Sequence, residues 1–110
     1  MALTDAKLKN LKPQEKIYKV ADRDGMYVVV WPKGVIAFRY DYRLASRRET
    51  LTLGQYDEFQ ASRPKRDPET IKYGDPLSLA DARELLMRAK NAVSRGESPA
   101  RDKADGKKGL

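Results

Sequence analysis

The sequence predicts an α+β domain in which a three- to four-stranded antiparallel sheet packs against one long C-terminal helix, with a short N-terminal helix. The first observation is that apolar and polar side chains alternate along residues 24–54, which is the period of strands with one buried face. The second is that apolar residues recur at spacings of three and four along residues 82–93, as on one face of an amphipathic helix. Packing these two apolar surfaces together gives a two-layer domain.

The amino-acid composition indicates which kinds of binding partner suit this chain. The 110 residues suffice for one domain, and their net charge of +7 favours anionic partners such as nucleic acid. Residues 1–53 carry 11 basic and six acidic side chains, whereas residues 54–110 carry 12 and ten, so the basic excess lies in the first half. No apolar run approaches the roughly 18 residues that span a bilayer, and no signal peptide is evident, so we expect a cytoplasmic protein without a membrane partner.

The first element is a short helix over residues 3–12. Thr4 is a suitable N-cap, Leu8 and Leu11 form a narrow apolar stripe, and Pro13 stops the helix. Lys7 and Lys9 lie off this stripe. They are either solvated side chains or contacts to phosphate groups.

Four strands follow, at residues 17–21, 26–31, 35–44 and 48–53, separated by turns that contain Asp-Gly, Pro-Lys-Gly and Ala-Ser-Arg. Period-two alternation directs one set of side chains towards the core: Met26, Val28, Val30, Ile36, Phe38, Tyr40, Tyr42, Leu44, Leu51 and Leu53. It directs the other set outwards: Tyr27, Val29, Trp31, Ala37, Arg39, Asp41, Arg43, Arg48, Thr50 and Thr52. A single β-bulge would exchange the two sets.

The long helix has the clearest sequence signals. Ser78 and Asp81 resemble a capping box, and Gly96 is suited to end the helix. Before it, residues 57–76 show no period and form a loop, in which Thr70–Tyr73 could make a short strand. After it, residues 97–110 resemble a linker or tail.

The residue types argue against catalysis by this chain. It has no histidine and no cysteine, which removes the commonest general base, thiol nucleophiles and the commonest metal ligands, and we expect no cofactor and no metal. Asp22 and Asp24 are assigned to the turn that they flank.

The outward strand face favours nucleic-acid binding. A small sheet fits the major groove of DNA, where arginine pairs with guanine and threonine contacts thymine methyl or phosphate groups. From the pattern alone, two alternatives remain: a solvated sheet face, or aromatic stacking on single-stranded RNA.

Six motifs in order carry a resemblance over nearly the whole chain: LTDAKLKNLKP, DGMYVVVWPKG, FRYDYR, TLTLGQY, LSLADAREL and RGESPARDK. Together they resemble the N-terminal arm-type DNA-binding domain of prophage and genomic-island integrases, which are tyrosine recombinases, in the satellite-phage-like group. The resemblance implies that residues 1–96 bind double-stranded DNA at attachment-site arms in a bacterial, nucleoid-associated protein. It also implies that residues 97–110 lead to core-binding and catalytic domains beyond this chain.

The residues expected to contact DNA lie on the outward face and around it. They are Arg39, Arg43, Arg48, Thr50 and Thr52 at the centre, Tyr27 and Trp31 beside them, and Arg47, Lys33, Lys7 and Lys9 as phosphate contacts. The alternative function is a module for contacts with other integrase subunits or an accessory factor. The loop at 57–76 departs from the family pattern, and either extends the DNA surface or decorates the domain.

Overall fold

The sheet has four antiparallel strands in chain order, which confirms the predicted α+β class. The computed structural model describes residues 3–22, 25–61, 67 and 70–101. The elements are α1 (Asp5–Lys9), β1 (Tyr18–Ala21), β2 (Met26–Val30), β3 (Ile36–Leu44), β4 (Arg47–Gln55), α2 (Glu58–Ala61) and α3 (Leu79–Ser94). Helix α3 packs against β3 and β4, and the core lies between them.

Helix α1 is shorter than the predicted span 3–12. The Thr4 hydroxyl accepts a hydrogen bond from the Lys7 amide at 3.1 Å, which confirms the N-cap. The helix ends at Lys9, well before Pro13, and the amide of the C-cap residue Asn10 donates to the carbonyls of Ala6 and Lys7 in the last turn. So short a helix is not stable alone, and buried Leu3 and Leu8 attach it to the core.

The turn between β3 and β4 consists of Ala45 and Ser46, both with positive φ, at 51° and 66°. Two central residues with positive φ suit the right-handed twist of a hairpin, but side chains other than glycine and asparagine are strained there. Strand β4 therefore begins at Arg47, one residue earlier than predicted, with Arg47 paired to Leu44.

Replacing Ala45 with asparagine and Ser46 with glycine is expected to stabilise the domain by about 1 kcal/mol, because both residues tolerate positive φ. Urea denaturation would measure the change. Ala45→Val puts a β-branched side chain at the same φ and should be destabilising. Equal stability of the two variants would show that this turn is not strained.

A β-bulge interrupts the pairing of β3 with β4. Phe38 pairs with Gly54 and Arg39 with Thr52, so Leu53 has no opposite partner. Two consecutive residues of β4 therefore face the core at this point, and the alternation resumes beyond it. Since the bulge follows Thr52, it leaves the predicted orientation of Arg48, Thr50 and Thr52 unchanged.

The segment 57–76 was predicted to lack secondary structure, and that prediction is wrong in part. It contains α2, whose first turn is capped by the Asp57 carboxylate accepting from the Phe59 amide at 2.9 Å. No strand forms at Thr70–Tyr73; instead Leu77 makes a single parallel bridge with Tyr56.

The end of this segment belongs to the core. Ile71 and Leu77 are fully buried, and the Arg88 guanidinium donates to the Ile71 carbonyl at 2.8 Å. The segment lies against Gly54, where a Cβ atom would come within 2.3 Å of the Asp75 carbonyl oxygen. The basic residues at 63, 65 and 66 lie outside the described residues, so the loop's contribution to a DNA surface stays a prediction.

Helix α3 has both predicted ends. Ser78 and Asp81 exchange side-chain-to-backbone hydrogen bonds, which completes the capping box. At the C-terminal end Gly96 has φ 78°, and the amides of Gly96 and Glu97 close onto the Val93 and Ala92 carbonyls. One face of the helix is buried, at Leu79, Asp81, Ala82, Leu85, Leu86, Ala89 and Ala92.

Asp22 does more than form a turn. Its amide donates to the Met26 carbonyl, as the turn requires, but its carboxylate is fully buried. That carboxylate accepts from the Leu3 amide at 2.7 Å and from two nitrogens of the Arg83 guanidinium at 3.0 and 3.2 Å. The N-terminal segment, the end of β1 and α3 therefore meet at one ion pair. Asp24 lies outside the described residues.

The chain continues past α3 onto the sheet. The Glu49 carboxylate accepts from the Tyr42 and Ser98 hydroxyls, and the Ala100 amide donates to the Tyr42 hydroxyl oxygen. Residues 98–101 are thus docked on β3 and β4, although they were predicted to start a linker. That residues 97–110 lead to further domains stays a prediction.

Candidate nucleic-acid interface

The sheet face opposite α3 carries most of the residues predicted to contact DNA. We call it the outer face, and it consists of Lys19, Tyr27, Val29, Trp31, Ala37, Arg39, Asp41, Arg43, Arg48, Thr50 and Thr52. Cross-strand pairing places Tyr27 opposite Arg39, Arg39 opposite Thr52, and Asp41 opposite Thr50. The centre of the predicted site is therefore assembled on three neighbouring strands.

The outer face has an apolar base. Val29 and Ala37 are directly opposite each other and only 1% and 3% exposed. The expectation that Val29 meets solvent is therefore wrong. Its neighbours along the same face, Tyr27 and Trp31, are large aromatic residues, which accounts for its burial.

Arg39 is held over Trp31. Its guanidinium carbon lies 5.3 Å from the centroid of the Trp31 ring, within cation–π range. The Nε atom of Arg39 is buried and has no hydrogen-bond partner among the described residues. Lys19 makes a similar contact, its Nζ lying 5.1 Å from the Tyr27 ring. These contacts fix aromatic and basic groups side by side on one surface.

Asp41 occupies the middle of the outer face. Its Oδ1 accepts hydrogen bonds from the Tyr27 hydroxyl at 2.9 Å and from the Thr50 hydroxyl at 2.8 Å. Its Oδ2 accepts from Nη2 of Arg48 at 3.2 Å. One carboxylate thus holds a residue of β2 and two residues of β4.

These contacts also determine the ionisation state of the Asp41 carboxylate. Burial alone would raise the pKa of Asp41, but the three hydrogen bonds outweigh it and hold the pKa below its ordinary value. Burial and the hydrogen bond to Asp41 raise the pKa of the Tyr27 hydroxyl. At neutral pH the carboxylate is therefore charged and Tyr27 is a neutral donor to it.

Three arginines lie at the end of the β3–β4 hairpin, and two of them, Arg43 and Arg48, are on the outer face. Arg43 pairs directly with Arg48, and Arg47 is the next residue on β4; all three are exposed. Like charges directly opposite each other destabilise a sheet. Within the described part of the chain, Arg43 makes no ion pair, so its charge is available to a ligand.

The remaining predicted contacts are more scattered. Lys33 is exposed in the turn between β2 and β3. Lys9 and Thr52 line the same open groove, which places the end of α1 near that edge of the sheet. Lys7 is exposed on α1, and the structure does not bring it together with the outer face.

The role of Asp41 was missed from the sequence, although its outward direction was predicted. The only available signal was one acidic residue within a run of outward arginines on the third strand. Its partners Tyr27, Arg48 and Thr50 could be identified only once the strand register was known.

Neither a metal centre nor a membrane span emerges from the described residues. They include no group of three or more histidine, cysteine, aspartate or glutamate residues that could hold a metal ion. None of their helices is long and apolar enough to cross a bilayer. The outer face is therefore the feature to compare with known proteins.

The comparison with protein families agrees with this geometry. No curated protein matches the chain significantly. The family described as the arm DNA-binding domain matches residues 3–106, from the segment before α1 to beyond the docked residues 98–101. That family is a non-catalytic DNA-binding module found in integrases, with double-stranded DNA as its partner. The chain belongs to the arm DNA-binding domain family.

Proposed function

We propose that this domain recognises arm-type DNA sites for a prophage or genomic-island integrase of the tyrosine recombinase class, with the outer face inserted in the major groove. The observation that carries the proposal is the concentration of Arg39, Arg43 and Arg48 with two threonines on adjacent strands. Arginine and threonine supply the donors and methyl groups with which proteins read base edges.

The dimensions of the sheet suit this mode of binding. Neighbouring strands lie about 4.8 Å apart, so β2, β3 and β4 together span roughly 10 Å, and the major groove is about 12 Å wide. Trp31 lies immediately after β2 and Arg39 lies on β3, and the two side chains are held against each other. The face can therefore enter the groove with little rearrangement of these side chains.

Electrostatics favour the same face. The chain carries a net charge of +7, and the Arg43–Arg48 pair concentrates like charge at the hairpin end. A phosphate group or a guanine edge between these guanidinium groups would relieve their repulsion. Arg47 and Lys33, at opposite ends of the sheet, are suited to contact the phosphates that flank the groove.

Arg43→Ala is expected to weaken binding to a selected duplex by about 1–3 kcal/mol, because Arg43 makes no ion pair among the described residues and its loss removes a DNA contact. The duplex would be enriched from a random-sequence library by the unchanged domain, and affinity measured by fluorescence anisotropy over a range of salt concentrations. Arg95→Ala, at the end of α3 in the helical layer, is the matched control and should change affinity little. Undiminished duplex binding after both Arg39 and Arg43 are replaced by alanine would refute the outer-face proposal.

A second candidate function is contact with another integrase subunit. Phe59 of α2 is 68% exposed and lines the open groove beside Tyr56, away from the arginines of the outer face. Burying so exposed an aromatic side chain against another subunit would remove apolar surface from water and favour association. Sedimentation of the domain without DNA separates the two functions, since a subunit contact through Phe59 gives concentration-dependent self-association that Phe59→Ser abolishes.

A further inference from the structure

Asp41 is the one carboxylate in the middle of a surface that we have assigned to DNA. Its side chain is 23% exposed, against 73% for its ion-pair partner Arg48. A carboxylate here repels phosphate groups, by about 1 kcal/mol or more at close range even in water. If nothing offset this repulsion, Asp41 would weaken DNA binding. Any favourable contribution of Asp41 to DNA binding must therefore act through the neighbouring side chains.

The hydrogen bonds of Asp41 fix which way two hydroxyl groups point. Tyr27 and Thr50 each have one hydroxyl proton, and each donates it to Oδ1. A hydroxyl whose proton is committed in this way presents only lone pairs to any other ligand. Beside them, Arg48 presents only donors, and its bond to Oδ2 directs the guanidinium across the same face.

We propose that Asp41 is a positioning residue for base readout, which makes Tyr27 and Thr50 acceptors and directs Arg48 as a donor. The ligand feature that such acceptors take in the major groove is an exocyclic amino group, N4 of cytosine or N6 of adenine. The donors of Arg48 take an acceptor edge, for which O6 and N7 of guanine are suited. The inference rests on the proposed DNA-binding function of the outer face and adds to it a preferred pattern of base edges.

The charge of Asp41 has a second effect on selectivity. While Arg48 is paired with Asp41, it is less available to a phosphate of any sequence. A DNA site with the matching base edges offsets the repulsion from the carboxylate by its hydrogen bonds to these side chains, whereas an arbitrary site does not. Asp41 therefore lowers affinity for arbitrary duplex more than affinity for the matching site.

The test compares Asp41→Asn with the unchanged domain on two probes. One is a pool of duplexes with 20 random base pairs, from which the bound fraction is sequenced, and the other is a single duplex of arbitrary sequence. We expect the variant to bind the arbitrary duplex more tightly, with a salt dependence steeper by about one phosphate contact. We expect its preference for the enriched sequence over the arbitrary one to fall by about fivefold or more.

Glu97→Gln is the matched control. It makes the same change of charge in another arginine–carboxylate pair, Arg95–Glu97, at the end of α3. It should leave both the enriched sequence and the preference for it unchanged. A general effect of net charge would instead appear equally in both variants and would overturn the role of Asp41.

Thr50 provides a second variant that does not depend on Asp41→Asn folding. Thr50→Val removes the acceptor and should relax selection at the positions that Asp41→Asn relaxes, whereas Thr50→Ser keeps the hydroxyl and should retain it. If the unchanged domain enriches no sequence and binds no duplex, the proposed function itself fails. If it enriches a sequence that Thr50→Val selects equally well, the function stands and the inference about Asp41 is wrong.

Discussion

Replacing Asp22 with alanine is expected to destabilise the domain by about 3–5 kcal/mol, the usual cost of removing one partner from a buried ion pair. The Asp22 side chain is fully buried and that of Arg83 is 29% exposed. Without the carboxylate, the Leu3 amide loses its acceptor, and the Arg83 guanidinium loses two hydrogen bonds while keeping the one to the Leu3 carbonyl at 2.9 Å. A domain of this size has only about 5–15 kcal/mol of stability, so the variant should be close to unfolding at moderate temperature.

Urea denaturation would measure this loss, and Glu97→Ala is the control. The Arg95–Glu97 pair is more than half exposed on both sides, and its removal should cost less than about 1 kcal/mol. A double-mutant cycle of Asp22 and Arg83 isolates the pair, since Asp22→Ala and Arg83→Ala should be far from additive. Additive losses would show that the two side chains act independently, contrary to the structure.

The importance of Asp22 could not be predicted from the sequence. Its partners lie 19 and 61 residues away along the chain, and a tight hairpin turn already accounts for an aspartate at that position. Helix α3 is the opposite case. Its period and both of its ends depend on residues within one or two turns, such as Ser78 with Asp81, so local sequence was sufficient to predict it.

The outer face likewise shows which features strand alternation predicts and which depend on contacts between strands. Alternation predicted which residues face outwards, and the prediction holds for β4 because the bulge lies at Leu53, beyond Thr52. Alternation could not predict that Asp41 joins Tyr27, Arg48 and Thr50, because that depends on the register of three strands. Nor could it show that Val29, although outward, is buried.

The segment 70–77 is the part of the fold that the sequence predicted least well. It has no period because its contacts are made by backbone groups and by irregularly spaced side chains, Ile71 and Leu77 in the core and Tyr73 packed against it. The segment can lie close against the sheet because residue 54 is a glycine and has no side chain. At Gly54 the Asp75 carbonyl occupies space that any Cβ atom would need, and a glycine in a strand often marks such a close approach.

Gly54→Ala is therefore expected to destabilise the domain by about 3 kcal/mol or more, at the upper end of overpacking effects. The added Cβ would lie 2.3 Å from the Asp75 carbonyl oxygen and 2.8 Å from Cδ1 of Leu77. A side chain such as Leu77 can move, but a backbone carbonyl can move only with its segment. Two sheet-to-segment hydrogen bonds depend on that position, from the Gly74 amide to Leu53 and from the Leu77 amide to Gln55.

Hydrogen exchange distinguishes this cause from general strain. In Gly54→Ala, the amides of Gly74 and Leu77 should lose protection before those of β2 and β3 do, because the segment must leave the sheet to admit the methyl group. Gly34→Ala is the matched control. Gly34 has φ 95° and no atom within 4 Å of an added Cβ, so alanine there costs only backbone strain of about 1–2 kcal/mol. Equal losses of stability in the two variants, with protection at Gly74 and Leu77 retained, would mean that the segment 70–77 is not held against Gly54.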